Sequence, residues 1–163
     1  MQLLNQRLEF HSMHMGLLDV MLAENDRDDR FLFGKVLKNM PNTGHVTLIP
    51  DGKQLMNYLS KNSDHLPDLL FLDVELHKKT GFECLYEIKD DERLKDIPVV
   101  MLSTSFAQDR KYEAYLINML LKIGALHFIH KSDDFGQIRA EIQKAFAMSV
   151  KNNLLTECME IYS

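Results

Sequence analysis

The sequence predicts an α/β fold, a doubly wound parallel sheet of five short strands with helices on both faces. Three observations lead there. Five apolar runs recur along the chain, each of strand length and each followed by an amphipathic stretch. The runs do not alternate polar with apolar, as a strand with one wet face would, so they read as covered on both sides. Strand and helix patterns alternate throughout, which implies βαβ units with right-handed crossovers and a three-layer sandwich.

The first run is LLDVMLA (17–23). In the helix pattern after it, 28–40, Phe31, Val36 and Leu37 share one face and Asp28 or Asp29 caps the first turn. HVTLIP (45–50) is the second run, and Leu55, Tyr58 and Leu59 line up in 52–61. DLLFLD (68–73) is the third; Thr80 is the expected N-cap of 80–92, whose inner face carries Phe82, Leu85 and Ile88. IPVVMLS (97–103) precedes a helix pattern over 107–123 with Tyr112, Tyr115, Leu116 and Met119. ALHFIH (125–130) is the fifth, followed by 135–150 with Ile138, Ile142, Ala145 and Phe146. This size and count fit the flavodoxin-like strand order 2-1-3-4-5 better than the larger six-stranded order. Residues 1–16 read as an N-terminal extension, 17–150 as the domain, and 151–163 as a C-terminal tail that continues the last helix or frays.

Composition narrows the function classes. The chain has 163 residues, 45% hydrophobic and 26% charged, enough for one domain that buries a sizeable core. A net charge of -5 argues against a nucleic-acid surface. No apolar run approaches the length of a membrane span, and the N-terminus lacks a secretory pattern, so a cytoplasmic location is expected. The two cysteines, Cys84 and Cys158, are too few for a disulfide framework and read as small apolar packing groups.

In an open parallel sheet, ligands bind at the carboxyl ends of the strands. Glu24, Asn25 and Asp26 follow the first run, Asp73 ends the third, Ser103 ends the fourth and Lys131 follows the fifth. Clustered carboxylates repel, and a hard divalent cation such as Mg²⁺ relieves that while leaving room for a phosphate oxygen. A carboxylate is also a nucleophile able to form an acyl phosphate, with an ammonium and a hydroxyl neutralising the outer oxygens. The set reads as a phosphoryl-accepting aspartate site.

The motifs VMLAENDRDD, PDLLFLDVEL with TGFE, IPVVMLSTS and GALHFIHKS occur in that order, with 30 residues from Asp73 to Ser103. Together they resemble the receiver domain of two-component response regulators, from about residue 17 to residue 150. The resemblance implies that Asp73 is the phosphoacceptor and that Glu24, Asn25, Asp73 and the backbone carbonyl of Glu75 hold Mg²⁺. It implies further that Ser103 and Lys131 bind the phosphoryl group and that Phe128 is the aromatic whose rotamer reports it. The donor would be a phosphohistidine on a sensor histidine kinase or a histidine phosphotransfer protein. With no output segment in the pattern, a single-domain regulator is expected. It would be a phosphoprotein with at most weak autophosphatase activity, signalling through a downstream protein or a phosphorelay.

The sequence departs from the family at several positions. Asn25 stands where a second aspartate is usual, which predicts weaker Mg²⁺ affinity. It also opens the second reading, a pseudo-receiver that acts as a phosphorylation-independent interaction module. His77 occupies a position where proline is frequent and reads as an exposed loop residue. The 28 residues from Ser103 to Lys131 exceed the family's usual span by about two helical turns, so a longer fourth helix, or a changed docking or homodimer face, is expected. An aspartate-dependent phosphatase ranks lower, because such enzymes want a second aspartate where Glu75 stands. A flavodoxin-type cofactor site is excluded, since the acidic AEND loop would repel a phosphate.

Overall fold

The computed structural model describes residues 16–104 and 109–161; the expectations for residues 1–15 and for Ser105 fall outside these. The strands are β1 (Leu18–Ala23), β2 (Thr43–Ile49), β3 (Leu69–Asp73), β4 (Val99–Ser103) and β5 (His127–His130). The helices are α1 (Arg27–Lys38), α2 (Gly52–Lys61), α3 (Gly81–Asp90), α4 (Arg110–Ile123) and α5 (Phe135–Ile161). The strands form one sheet in the order β2-β1-β3-β4-β5, with every pairing parallel. This is the doubly wound, flavodoxin-like arrangement the run pattern predicts.

The sheet divides two apolar clusters. Met21, Leu70, Leu72, Val99 and Met101 face Leu55, Leu59, Leu85, Ile88 and Leu120 of α2, α3 and α4. Val20, Leu22, Leu69, Phe71 and Val100 face Phe33, Val36, Leu37, Ile138, Ile142 and Phe146 of α1 and α5. Successive strand residues point to opposite faces, so a strand covered twice must be apolar at every position. The central strand β3 meets that demand from Leu69 to Leu72, and its last residue, the equally buried Asp73, is the polar exception at the strand end.

Three local expectations need correcting. β2 is an edge strand on which only Ile49 is buried, so it is not covered on both sides as its sequence suggests. Phe31 is 72% exposed, and Phe33 takes the inward position of α1 beside Val36 and Leu37. The cap of α1 is Asp26, not Asp28 or Asp29, whose backbone N–H groups both donate to Asp26 Oδ1 at 2.9 Å. Thr80 does cap α3, in a full capping box with Glu83. α4 has 14 residues against ten each in α2 and α3. Its Tyr112 and Tyr115 are exposed, while Leu116, Ile117, Leu120 and Ile123 pack inward. It ends on Gly124 at φ 126, a left-handed conformation that lets the chain turn sharply into β5.

Candidate functional site

Parallel strands bring β1, β3 and β5 to one edge with their carboxyl ends aligned, and the residues just past each end meet there. Lys131 Nζ sits 2.6 Å from Glu24 Oε2, 3.0 Å from Asp73 Oδ2 and 3.2 Å from Asp29 Oδ2. Glu24 is wholly buried and Asp73 is 3% exposed, so the ammonium is the main counter-charge for two carboxylates out of water. Glu24 Oε2 meets the ammonium as a close ion pair. Burial pushes the Glu24 carboxyl up to about 7, with Asp73 adding to the rise and Lys131 opposing it. Burial alone would lower the Lys131 ammonium, but its bonds to Glu24 and its proximity to Asp73 hold it above the ordinary lysine range.

Each side chain is fixed by its own loop. Arg30 Nη1 donates to the carbonyls of Glu24 and Asn25 at 2.7 and 3.1 Å, pinning the turn after β1. Glu24 Oε1 accepts the Asp26 N–H at 2.9 Å. Asp73 Oδ1 accepts the Glu75 N–H at 3.0 Å, which orients the carboxylate. Gly81 packs so closely under the strand that an added Cβ would lie 1.9 Å from the Asp73 carbonyl oxygen. The Gly52 N–H donates to the His77 carbonyl and Lys78 Nζ to Asp51 Oδ2 at 2.8 Å, tying the loop after β3 to the start of α2.

Glu24, Asn25, Asp73, Glu75 and Lys131, all named from sequence, line one cleft of about 590 Å³. Ser103 is buried at the end of β4, one residue beyond the Leu102 that pairs with Asp73, and its hydroxyl donates to the Thr104 carbonyl at 3.1 Å. Phe128 does not line this cleft. It lines a second one on the other side of Lys131, stacked edge-on against His130 with ring centres 5.1 Å apart. Sequence reading missed Asp29, Arg30 and the contact of His77 with Asn25. For Asp29 a signal existed, since it stands three residues after the Asp26 cap and so on the same face of the first turn.

No trio of His, Cys, Asp or Glu side chains is placed to hold a metal ion unaided among the described residues. The groups present are nevertheless of the kind Mg²⁺ favours: two carboxylates and the Glu75 carbonyl, with the Asn25 carboxamide able to add its oxygen by turning over and waters completing the shell. Glu24 Oε2, held by the Lys131 ammonium at 2.6 Å, is a further oxygen that suits a hard cation.

The profile of the response regulator receiver domain family matches residues 20–143. The chain belongs to that family. Receiver domains serve two-component signalling, where their role is generally that of a non-enzymatic phosphoacceptor. The response regulator Rcp1 of Synechocystis sp. is 34% identical over 104 residues, covering 61% of this chain and 71% of that one. A probable methanogenesis regulatory protein, FilR2, of Methanothrix harundinacea is 33% identical over 109 residues, 63% of this chain and 70% of that one. Among solved structures, the Mn²⁺-bound form of Rcp1 superposes with a TM-score of 0.65 at 27% identity, covering 76% of this chain and 90% of that one. The phosphorylated cyanobacterial phytochrome response regulator RcpA gives 0.65 at 32% identity, with 79% and 91% covered. No helix of this receiver, among the described residues, is long and apolar enough to cross a membrane.

Proposed function

We propose that Asp73 accepts a phosphoryl group from a phosphohistidine of a sensor histidine kinase or histidine phosphotransfer protein, with Mg²⁺ as cofactor. The observation that carries this reading is the shared ammonium: Lys131 bridges Asp73 and Glu24 at 3.0 and 2.6 Å inside an open cleft. A carboxylate oxygen of Asp73 attacks phosphorus, the P–N bond to the histidine breaks, and the imidazole leaves with the electron pair. Mg²⁺, held by Glu24, Asn25, Asp73 and the Glu75 carbonyl, supplies charge neutralisation when bound. Lys131 leaves its place between the carboxylates and pairs with a phosphoryl oxygen, and Ser103 turns its hydroxyl from the Thr104 carbonyl toward another. Water attack at phosphorus slowly returns Asp73 and inorganic phosphate, the weak autophosphatase step.

Withdrawal of Ser103 and Lys131 toward the new charge shifts the loops after β3 and β4, and Phe128, stacked beside Lys131 on His130, follows. The altered surface around α4 and β5 is then read by a downstream protein or a second copy of the chain. We place these exchanges in the cytoplasm, with neither nucleic acid nor membrane as partner. A second reading, the pseudo-receiver that never turns over phosphate, is favoured by one observation: Asn25 contributes no charge to the acid cleft.

The test is incubation with acetyl phosphate or phosphoramidate and Mg²⁺, followed by intact mass. An acid-stable, base-labile phosphoryl gain in wild type, absent in Asp73→Asn, is expected. No gain at millimolar donor would leave the pseudo-receiver reading standing.

A further inference from the structure

The Asn25 carboxamide touches three groups: the Glu75 carbonyl oxygen at 2.8 Å, Asp73 Oδ2 at 3.3 Å and His77 Nε2 at 3.2 Å. With its oxygen turned inward, the amide would set one acceptor against two others. With Nδ2 inward, the same contacts become donations to Glu75 and Asp73, and Oδ1 accepts from the His77 N–H. The hydrogen-bond network therefore selects the second orientation. Two oxygens assigned to the cation, one main-chain and one carboxylate, are thus already satisfied by a neutral NH₂ group.

His77 is well placed to hold that orientation. Its carbonyl accepts from the Gly52 N–H at 3.2 Å and from the Lys79 N–H at 2.7 Å. Its neighbour Lys78, at φ 63, is fastened to Asp51. The imidazole thus projects from a loop bound at both ends of its turn. We propose that, when no divalent cation is bound, Asn25 and His77 form a latch in its place, with His77 as the positioning residue that keeps the NH₂ facing inward. The proposal rests on the reading that Glu75 and Asp73 belong to the Mg²⁺ set. To offer its oxygen to a cation, the amide must turn over and lose its donations to Glu75 and Asp73 together with the bond from the His77 N–H. Cation affinity is then set by a residue that is not itself a ligand.

The test uses the full chain, ¹⁵N-labelled and freed of metal with a chelator, with the Asn25 side-chain amide assigned by its loss in Asn25→Asp. The wild-type amide pair is expected away from the solvent-amide position and slow to exchange. In His77→Ala it should move to that position, and calorimetric Mg²⁺ titration should show roughly three- to tenfold tighter binding, the worth of one net hydrogen bond. His77→Gln, which can place a donor at a similar reach, should return both readouts toward wild type. A freely exchanging Asn25 amide in metal-free wild type, or unchanged or weaker Mg²⁺ binding in His77→Ala, would overturn the latch. Neither readout uses a phosphoryl donor, so the latch can fail while Asp73 is still phosphorylated, and the phosphoacceptor reading can fail with the latch intact.

Discussion

Lys78 Nζ donates to Asp51 Oδ2 at 2.8 Å, joining the loop that follows β3 to the first turn of α2. Asp51 also accepts the Gln54 N–H at 2.8 Å as the cap of that helix. The Lys78 bond, then the Gln54 N–H, hold its carboxyl down at about 2, below the ordinary 3.8. A carboxyl depressed in the folded state binds fewer protons than in the unfolded one. Its contribution is therefore complete above the ordinary value and is lost as pH falls toward the lower one. Asp51→Asn keeps a good cap but removes the charge. Urea midpoints of the variant are expected to fall less steeply than wild type between about pH 4 and pH 2. Parallel slopes would mean that the ion pair contributes nothing to acid stability.

Lys131 faces the wholly buried Glu24 and the nearly buried Asp73. Lys131→Met keeps most of the volume and leaves those carboxylates without their ammonium. A metal-free loss of about 3–5 kcal/mol is expected in urea unfolding. Added Mg²⁺ should restore more stability to the variant than it adds to wild type, because it replaces the missing charge. An equal Mg²⁺ effect on both would count against Glu24 and Asp73 as ligands.

Gly81 has no room for a methyl group, since a Cβ would meet the Asp73 carbonyl oxygen at 1.9 Å. Gly81→Ala should cost about 1–3 kcal/mol or more and sharply lower the phosphoryl gain, because the strand end itself must move. Thr80→Ala, one residue earlier, loses the capping box at about 1 kcal/mol and should keep the phosphoryl gain. Gly16→Ala, with nothing within 4 Å of the new Cβ, is expected to match wild type.

Cys84 lies on the buried face of α3 with Sγ 3.6 Å from the Gly52 carbonyl oxygen, and burial pushes its thiol up to about 12. In a Cys158→Ser background, a thiol reagent at pH 8 should modify the protein only after denaturant is added. Rapid labelling of the folded variant would contradict the packing described for that helix.

What the sequence reveals follows how local each cause is. The continuous apolar content of β3 and β4 is set by burial on both faces, so those strands and the acid ending β3 are readable directly. β2 falls at the sheet edge in the predicted strand order, and its interleaved His45 and Thr47 fit that half-wet place better than the double cover expected from its apolar residues alone. Phe31 and Phe33 differ by two positions on α1, and only the helix's final rotation against the sheet decides which is inward. Glu24, Asp73 and Lys131 are legible because strand ends share an edge. The pairing of Asn25 with His77, 52 residues apart, arises from two loops whose paths the strand pattern does not fix.

α5 begins at Phe135, beside the edge that carries Lys131, and runs for 27 residues. At 1.5 Å per residue that is a rod of about 40 Å, whereas the longest strand, β2 with seven residues, spans roughly 23 Å. The helix therefore overshoots the sheet at the pole opposite the acidic cleft. A dye, surface tether or affinity handle joined at that tip would stand some four nanometres from the aspartate, far enough to report on the molecule without touching its chemistry.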